Sequence, residues 1–176
     1  MTIELVAIQL EPGAVVEGAA PHLRDGDVLV VHHDLIAGAA GRPPARVLRR
    51  RDDVVVVETA HGFVCRDVDN RRLPVDPDRE ARRIRDGVRG RIGVDIAVIV
   101  VASFDRPWRR GRACVAIGCA GIAAVHDGVC VADGLAAAAA LASHAAAVVR
   151  GVDAALRRES SVAGEIVRPA ADELFR

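Results

Sequence analysis

The chain has 176 residues, 51% of them apolar, and its 24 basic and 24 acidic side chains leave no formal net charge. That length suits one domain with a sizeable core, and the charge balance argues against nucleic acid as a general partner, which needs a basic surface or patch. Every basic residue apart from histidine is Arg, and the absence of Lys excludes a Walker P-loop, a Schiff base or a lysine general base.

With three Phe, one Trp and no Tyr, the core must be built from Val, Ala, Leu and Ile. Residues 2–10 read as a strand ended by Pro12-Gly13, and a turn at 23–27 introduces a buried strand over 28–32. His32-His33-Asp34 follow at its end, where α/β sheets commonly meet ligands. Strand alternation places His32 and His33 on opposite faces, so they are not expected to share an ion. Arg49, Arg50 and Arg51 read as a solvated turn before a strand over 54–58, and His61-Gly62 turns the chain back through 63–65 as a hairpin. Asp69 and Asn70 read either as ordinary turn residues or, for Asp69, as an oxygen donor for Mg²⁺ or Mn²⁺.

Asp76-Pro77 predicts a helix start, with Asp76 as cap and Pro77 in the first turn. Ala81, Ile84, Val88 and Ile92 form its apolar stripe, leaving Arg82, Arg83, Arg85, Arg89 and Arg91 as a solvated face. A β-branched run over 96–102 reads as a buried central strand. It leads into Asp105, Arg106, Pro107, Trp108, Arg109, Arg110 and Arg112. This knot of guanidinium groups reads either as an anion site, Arg106 and Arg109 foremost, or as a solvated turn anchored by Trp108.

Cys114, Cys119, His126 and Cys130 are soft donors but lack a C-x-x-C pair, so buried free thiols are expected and zinc is not. Asp133 predicts a cap for a helix starting near Leu135, apolar on all sides to Ala142 and therefore buried. Helix propensity extends it to Val149. A short helix over 152–158, an extended segment over 166–168 and a last helix from Pro169 complete the reading. No signal-peptide pattern and no charge-free run of spanning length is seen, so a reducing cytoplasm without a membrane partner is expected. The fold class predicted is α+β, mixed sheets with packed helices.

Four blocks carry a family resemblance: L-R-D-G-D-V-L-V-V at 23–31, V-E-T-A-H-G-F-V-C at 57–65, R-P-W-R-R-G followed by V-A-I-G within 106–118, and V-R-P-A-A-D-E-L-F-R at 167–176. In this order they resemble the coenzyme F-420 gamma-glutamyl ligase family. The resemblance implies a nucleotide-dependent, metal-assisted enzyme that adds glutamate to a deazaflavin precursor, using GTP, and an intertwined homodimer. It also implies that residues 146–150 form a strand rather than the end of a helix.

Residue by residue, the resemblance places Asp69 at the family's metal aspartate and Asn70 at its nucleotide-contacting asparagine, with two residues missing between them. His32, His33, Asp34 and Gly38 stand where the family has a nucleotide-contacting stretch with two lysines. Val101, Ala102 and Ser103 stand at threonine-aspartate-threonine, so Ala102 replaces a second metal aspartate and Ser103 keeps a hydroxyl; Cys114 replaces the aspartate before V-A-I-G.

The function expected is a ligase-like protein with a degenerate metal and nucleotide site, holding an anionic small molecule (nucleotide, phosphate or deazaflavin precursor) through Arg106 and Arg109. Metal ligands would be Asp69 and Ser103, weak for Mg²⁺ or Mn²⁺, and nucleotide contacts His33, Asp34 and Asn70. One alternative is an active ligase with a rearranged site that also recruits Asp105 or Asp127. Another is a small zinc-binding or regulatory module built on His126 and the cysteines.

Overall fold

The structure is a computed structural model that describes residues 2–36, 43–70, 72–105 and 110–157. Its strands are β1 (Glu4–Ala7), β2 (Val28–His32), β3 (Ala45–Arg51), β4 (Val54–Thr59), β5 (Val64–Arg66), β6 (Ala97–Asp105), β7 (Arg112–Ala120), β8 (Val125–His126), β9 (Val129–Cys130) and β10 (Ala146–Arg150). Its α-helices are α1 (Val15–Ala19), α2 (Asp67–Asn70), α3 (Pro77–Ile92) and α4 (Val131–Ala142). The main sheet runs β1-β10-β2-β6-β7, a smaller one β3-β4-β5, and β8-β9 form a two-stranded ribbon. The class is α+β, as the residue pattern predicts.

The central pair, β2 and β6, is parallel, and its other neighbours in the main sheet are antiparallel. Alternation along these β-branched strands splits the core in two. Leu29, Val31, Val98, Val100, Ala102 and Phe104 face Ala81, Ile84 and Val88 of α3 and the small sheet's Val57 and Cys65. Val28, Val30, Ala97, Ile99 and Val101 face Ala132, Leu135, Ala136 and Ala139 of α4. Both sides of β2 and β6 are covered, which is why they read as unbroken apolar runs rather than alternating ones.

The predicted cap of α3 forms: the Asp76 carboxylate accepts from the Arg79 N–H at 2.9 Å, with Pro77 in the first turn. At the other end Gly93, at φ 73°, closes the helix by donating to the Arg89 carbonyl. Two expectations for this helix fail. Ile92 is 38% exposed, beyond the end of the covered stripe, and Arg85 is buried at 8%. Arg85 donates from Nε to the Ile96 carbonyl at 2.9 Å and pairs with Asp95 at 2.8 Å, so it ties the helix to the start of β6.

Asp95 also meets Arg89 and Arg157. Burial pushes its carboxyl up, but the hydrogen bond from Arg89 and the charges of Arg85, Arg89 and Arg157 outweigh this and hold it below the usual value. A depressed carboxyl stabilises the fold above its unfolded pKa, and that contribution disappears as pH falls through the folded one. Stability measured by urea unfolding should therefore drop as acidity approaches and passes the ordinary Asp range, and Asp95→Asn should flatten that part of the curve. Superimposable acid profiles for the two proteins would contradict this.

Other differences have simple causes. Arg49, Arg50 and Arg51 belong to edge strand β3, where charge on an exposed edge discourages pairing with further strands. Asp69 and Asn70 lie in α2 rather than a turn. Helix α4 starts at Val131, with Cys130 at its N-cap position; Asp133 lies inside the helix and accepts from the Ala116 N–H of β7 at 2.8 Å. Nor is α4 covered all round, since Leu141 is 87% exposed. The helix ends at Ala142 and β10 follows at Ala146–Arg150, as the family resemblance implies and helix propensity does not. Between 152 and 158 only a 3₁₀ turn, Ala154–Leu156, forms among the described residues. The expected elements beyond 157 lie outside them.

Candidate functional site

Because β2 and β6 are parallel, their carboxyl ends arrive at the same edge of the sheet, the usual place for a ligand crevice. β2 delivers His32 and then His33 and Asp34 in a 3₁₀ turn, while β6 delivers Ser103, Phe104 and Asp105. The start of β7 adds Arg112, α2 adds Asp69, and the connection between α4 and β10 adds His144. A cavity of about 310 Å³ opens here, with His32, His33, Asp34, Asp69, Arg72 and Ser103 in its wall.

His32 and His33 do not point to opposite faces. Strand geometry stops at His32, and the 3₁₀ turn that begins at His33 swings its ring back beside its neighbour, with centroids 4.6 Å apart. Asp34 lies between them: Oδ2 is 3.5 Å from the His32 Nδ1 and Oδ1 is 3.5 Å from the His33 Nδ1. The Asp34 N–H donates to the His32 Nδ1 at 3.4 Å, and Arg72 binds the Asp34 carboxylate from the cavity side at 2.6 Å. Burial and the neighbouring His32 charge press the His33 imidazole down to about 4 against the pull of Asp34. Burial, followed by the charges of Arg112, Arg72 and His144, lowers His32 as well, although Asp34 opposes it. Both rings are thus biased toward the neutral form, His33 the more strongly.

Asp69 and Asp105 share one cation. The Arg66 guanidinium donates from Nε to Asp69 at 3.4 Å and from Nη2 to Asp105 at 2.6 Å. Arg112 approaches Asp105 from the other side at 3.5 Å. Ser103 lies beside the Cys114 thiol on the face opposite Ala102. Ala102 itself is fully buried in the inner cluster with Phe104 and Cys65. At the positions that the family resemblance assigns to the metal, Asp69 is already engaged by Arg66, Ser103 offers a hydroxyl and Ala102 a methyl group packed into the core, a set that does not fit Mg²⁺ well.

Of the residues expected at the site, His33, Asp34, Asp69 and Ser103 come together in this cavity. Asn70 does not: it is buried, donates to the Pro43 carbonyl at 3.1 Å and borders a separate cavity with Asp67 and Pro44. Its side-chain oxygen has no hydrogen-bond partner among the described residues. Arg106 and Arg109 lie outside the described residues. Asp127 sits in the β8-β9 turn beside His126, at 3.5 Å, and is not part of this cavity. Cys119 is in the core, Cys130 is at the start of α4, and with Cys114 and His126 they do not converge as ligands among the described residues. The sequence reading missed Arg66, Arg72 and His144. Arg66 was legible only as the residue three before Asp69 at a helix start.

The sequence model of the F420-0:Gamma-glutamyl ligase family matches residues 42–153, well over half of the chain. Among curated proteins, a Coenzyme F420:L-glutamate ligase of Methanopyrus kandleri is 30% identical over 147 residues, an alignment covering 60% of this chain and 58% of that protein. One from Methanococcus maripaludis is 37% identical over 89 residues, covering 46% of this chain and 36% of that protein. The chain belongs to the F420-0:gamma-glutamyl ligase family. It spans between about a third and three-fifths of the length of the curated relatives it matches.

Proposed function

We propose that the chain is a coenzyme F-420 gamma-glutamyl ligase-like protein with a degenerate metal and nucleotide site. It binds an anionic small molecule, whether a nucleotide such as GTP, phosphate or a deazaflavin precursor, with reduced or no ligase activity. The observation carrying this reading is Arg66 lying between Asp69 and Asp105. Phosphorylating a carboxylate demands that divalent metal offset several phosphate oxygens and the charge developing on them. Here the Arg66 guanidinium pairs with Asp69, the carboxylate that would bind such a metal, and with Asp105, so Mg²⁺ or Mn²⁺ would have to displace it.

What remains can hold an anion. Arg72 and Arg112 border the cavity with more than half of each side chain exposed, so they can turn toward a ligand, and His144 adds a further donor. Arg106 and Arg109 follow Asp105 directly and belong to the same proposal, as do ligand contacts from His33 and Asp34. We further propose a homodimer, a cytoplasmic setting, and no nucleic-acid or membrane partner. No helix among the described residues is long and apolar enough to cross a membrane.

Thermal shift with GTP, GDP and inorganic phosphate, each with and without Mg²⁺, tests the reading. A ligand at a hundredfold its Kd stabilises by about 2.7 kcal/mol. The expected result is stabilisation by at least one anion without Mg²⁺, weakened about tenfold in affinity by Arg72→Ala or Arg106→Ala. Stabilisation that requires Mg²⁺ would instead favour an active ligase with a rearranged site using Asp69 and Ser103.

A further inference from the structure

We propose that His32, His33 and Asp34 form a binding site for a borderline divalent transition metal of the Zn²⁺ or Co²⁺ class, open toward the cavity. One ligand atom from each of the three residues lies within 4.8 Å of the others. The His32 Nδ1 lies 3.5 Å from one Asp34 carboxylate oxygen and the His33 Nδ1 3.5 Å from the other, each close to the edge, about 3.4 Å, of a tetrahedron around an ion with ligands at about 2.1 Å. Rotation of the two rings, whose planes are tilted by 31°, about their side-chain bonds would bring the three ligand atoms into one coordination sphere.

Donor chemistry favours this class over Mg²⁺. Two imidazoles and one carboxylate suit zinc, cobalt or nickel, whereas Mg²⁺ keeps oxygen donors and water. Burial of His33 adds a second argument. At 8% exposed, its ring has Asp34, at 3.5 Å, as its polar contact among the described residues. Three protein ligands facing a cavity leave a fourth position for water or a ligand oxygen, the arrangement of an open rather than a structural site.

Arg72 occupies the cavity side of Asp34, and its exposed side chain can leave. Binding the metal therefore sets Arg72 free, so the ion and the anion proposed above would reinforce one another. The metal site shares its cavity with that reading but does not depend on it. Metal alone tests the site, and anion alone tests the earlier proposal.

The experiment is titration of the full chain, stripped of metal by chelator, with Co²⁺ followed by visible absorption, and with Zn²⁺ by competition. One equivalent per chain should bind at micromolar concentration, with the absorption of low-coordinate Co²⁺ and no thiolate charge-transfer band. His32→Ala and Asp34→Asn should each lower affinity by about tenfold or more, while His126→Ala should not. Arg72→Ala, at an exposed position, should leave the melting temperature nearly unchanged and raise the affinity severalfold. No saturable Co²⁺ uptake, a thiolate band, or an affinity unchanged in His32→Ala and Asp34→Asn proteins of normal melting behaviour would overturn the assignment.

Discussion

Substituting Ala102 by Asp is expected to destabilise the protein by about 3–5 kcal/mol, the usual cost of a buried charge without a partner. The family resemblance alone suggests the opposite, because an aspartate there would restore a metal ligand. The structure places the Ala102 side chain at 0% exposure, inside the cluster formed by Val100, Phe104, Cys65 and the inner face of α3. A carboxylate there meets hydrocarbon and the Cys65 thiol, which burial and then Asp69 already push up to about 12. Desolvation would raise the new carboxyl's pKa. The penalty is therefore full at neutral pH and shrinks as the solution is acidified and the group protonates. Urea unfolding at two pH values measures it. Unchanged stability together with newly acquired Mg²⁺ affinity would mean that position 102 still addresses the site.

Gly118→Ala is the second large effect, on the order of 3 kcal/mol. A Cβ at this position would sit 2.4 Å from the Pro77 carbonyl carbon, 2.5 Å from its oxygen and 2.7 Å from the Asp78 nitrogen. These are backbone atoms of the first turn of α3, which cannot rotate away as a side chain would. The neighbouring Cys119 N–H donates to the Asp78 carboxylate at 2.9 Å, so the helix start is fixed against β7 at this point. Next to it, the β6-β7 register shifts between Val100 and Val101. The final Gly of V-A-I-G thus has a structural role, the close approach of helix to strand. A variant melting within a degree or two of the parent would contradict the contact.

Where local chemistry decides, the sequence was readable. β-branched runs marked β2, β4 and β6, and Asp76-Pro77 marked the start of α3. The failures occur where distant residues decide. Arg85 looks like any arginine on a solvated helix face until Asp95 and the Ile96 carbonyl arrive beneath it. Asp133 looks like a helix cap until β7 offers it the Ala116 N–H. Helix propensity over an alanine run cannot foresee that Ala146–Arg150 will fill a gap between β1 and β2. The site was legible as a list of residues but not as a geometry. His33, Asp34, Asp69 and Ser103 were named, whereas the side-by-side histidine rings and the Arg66 bridge depend on a 3₁₀ turn and on tertiary placement that no spacing encodes.

The most direct test of the central claim is a glutamate ligation assay on the unmodified protein, with a deazaflavin precursor, GTP and Mg²⁺ or Mn²⁺, alongside Mn²⁺ titration of the protein alone. Asp69 is held by Arg66, and Mn²⁺ ranks low in affinity for nitrogen donors. The account predicts little or no product and no saturable Mn²⁺ binding at micromolar concentration. Metal-dependent ligation together with tight Mn²⁺ binding would contradict it.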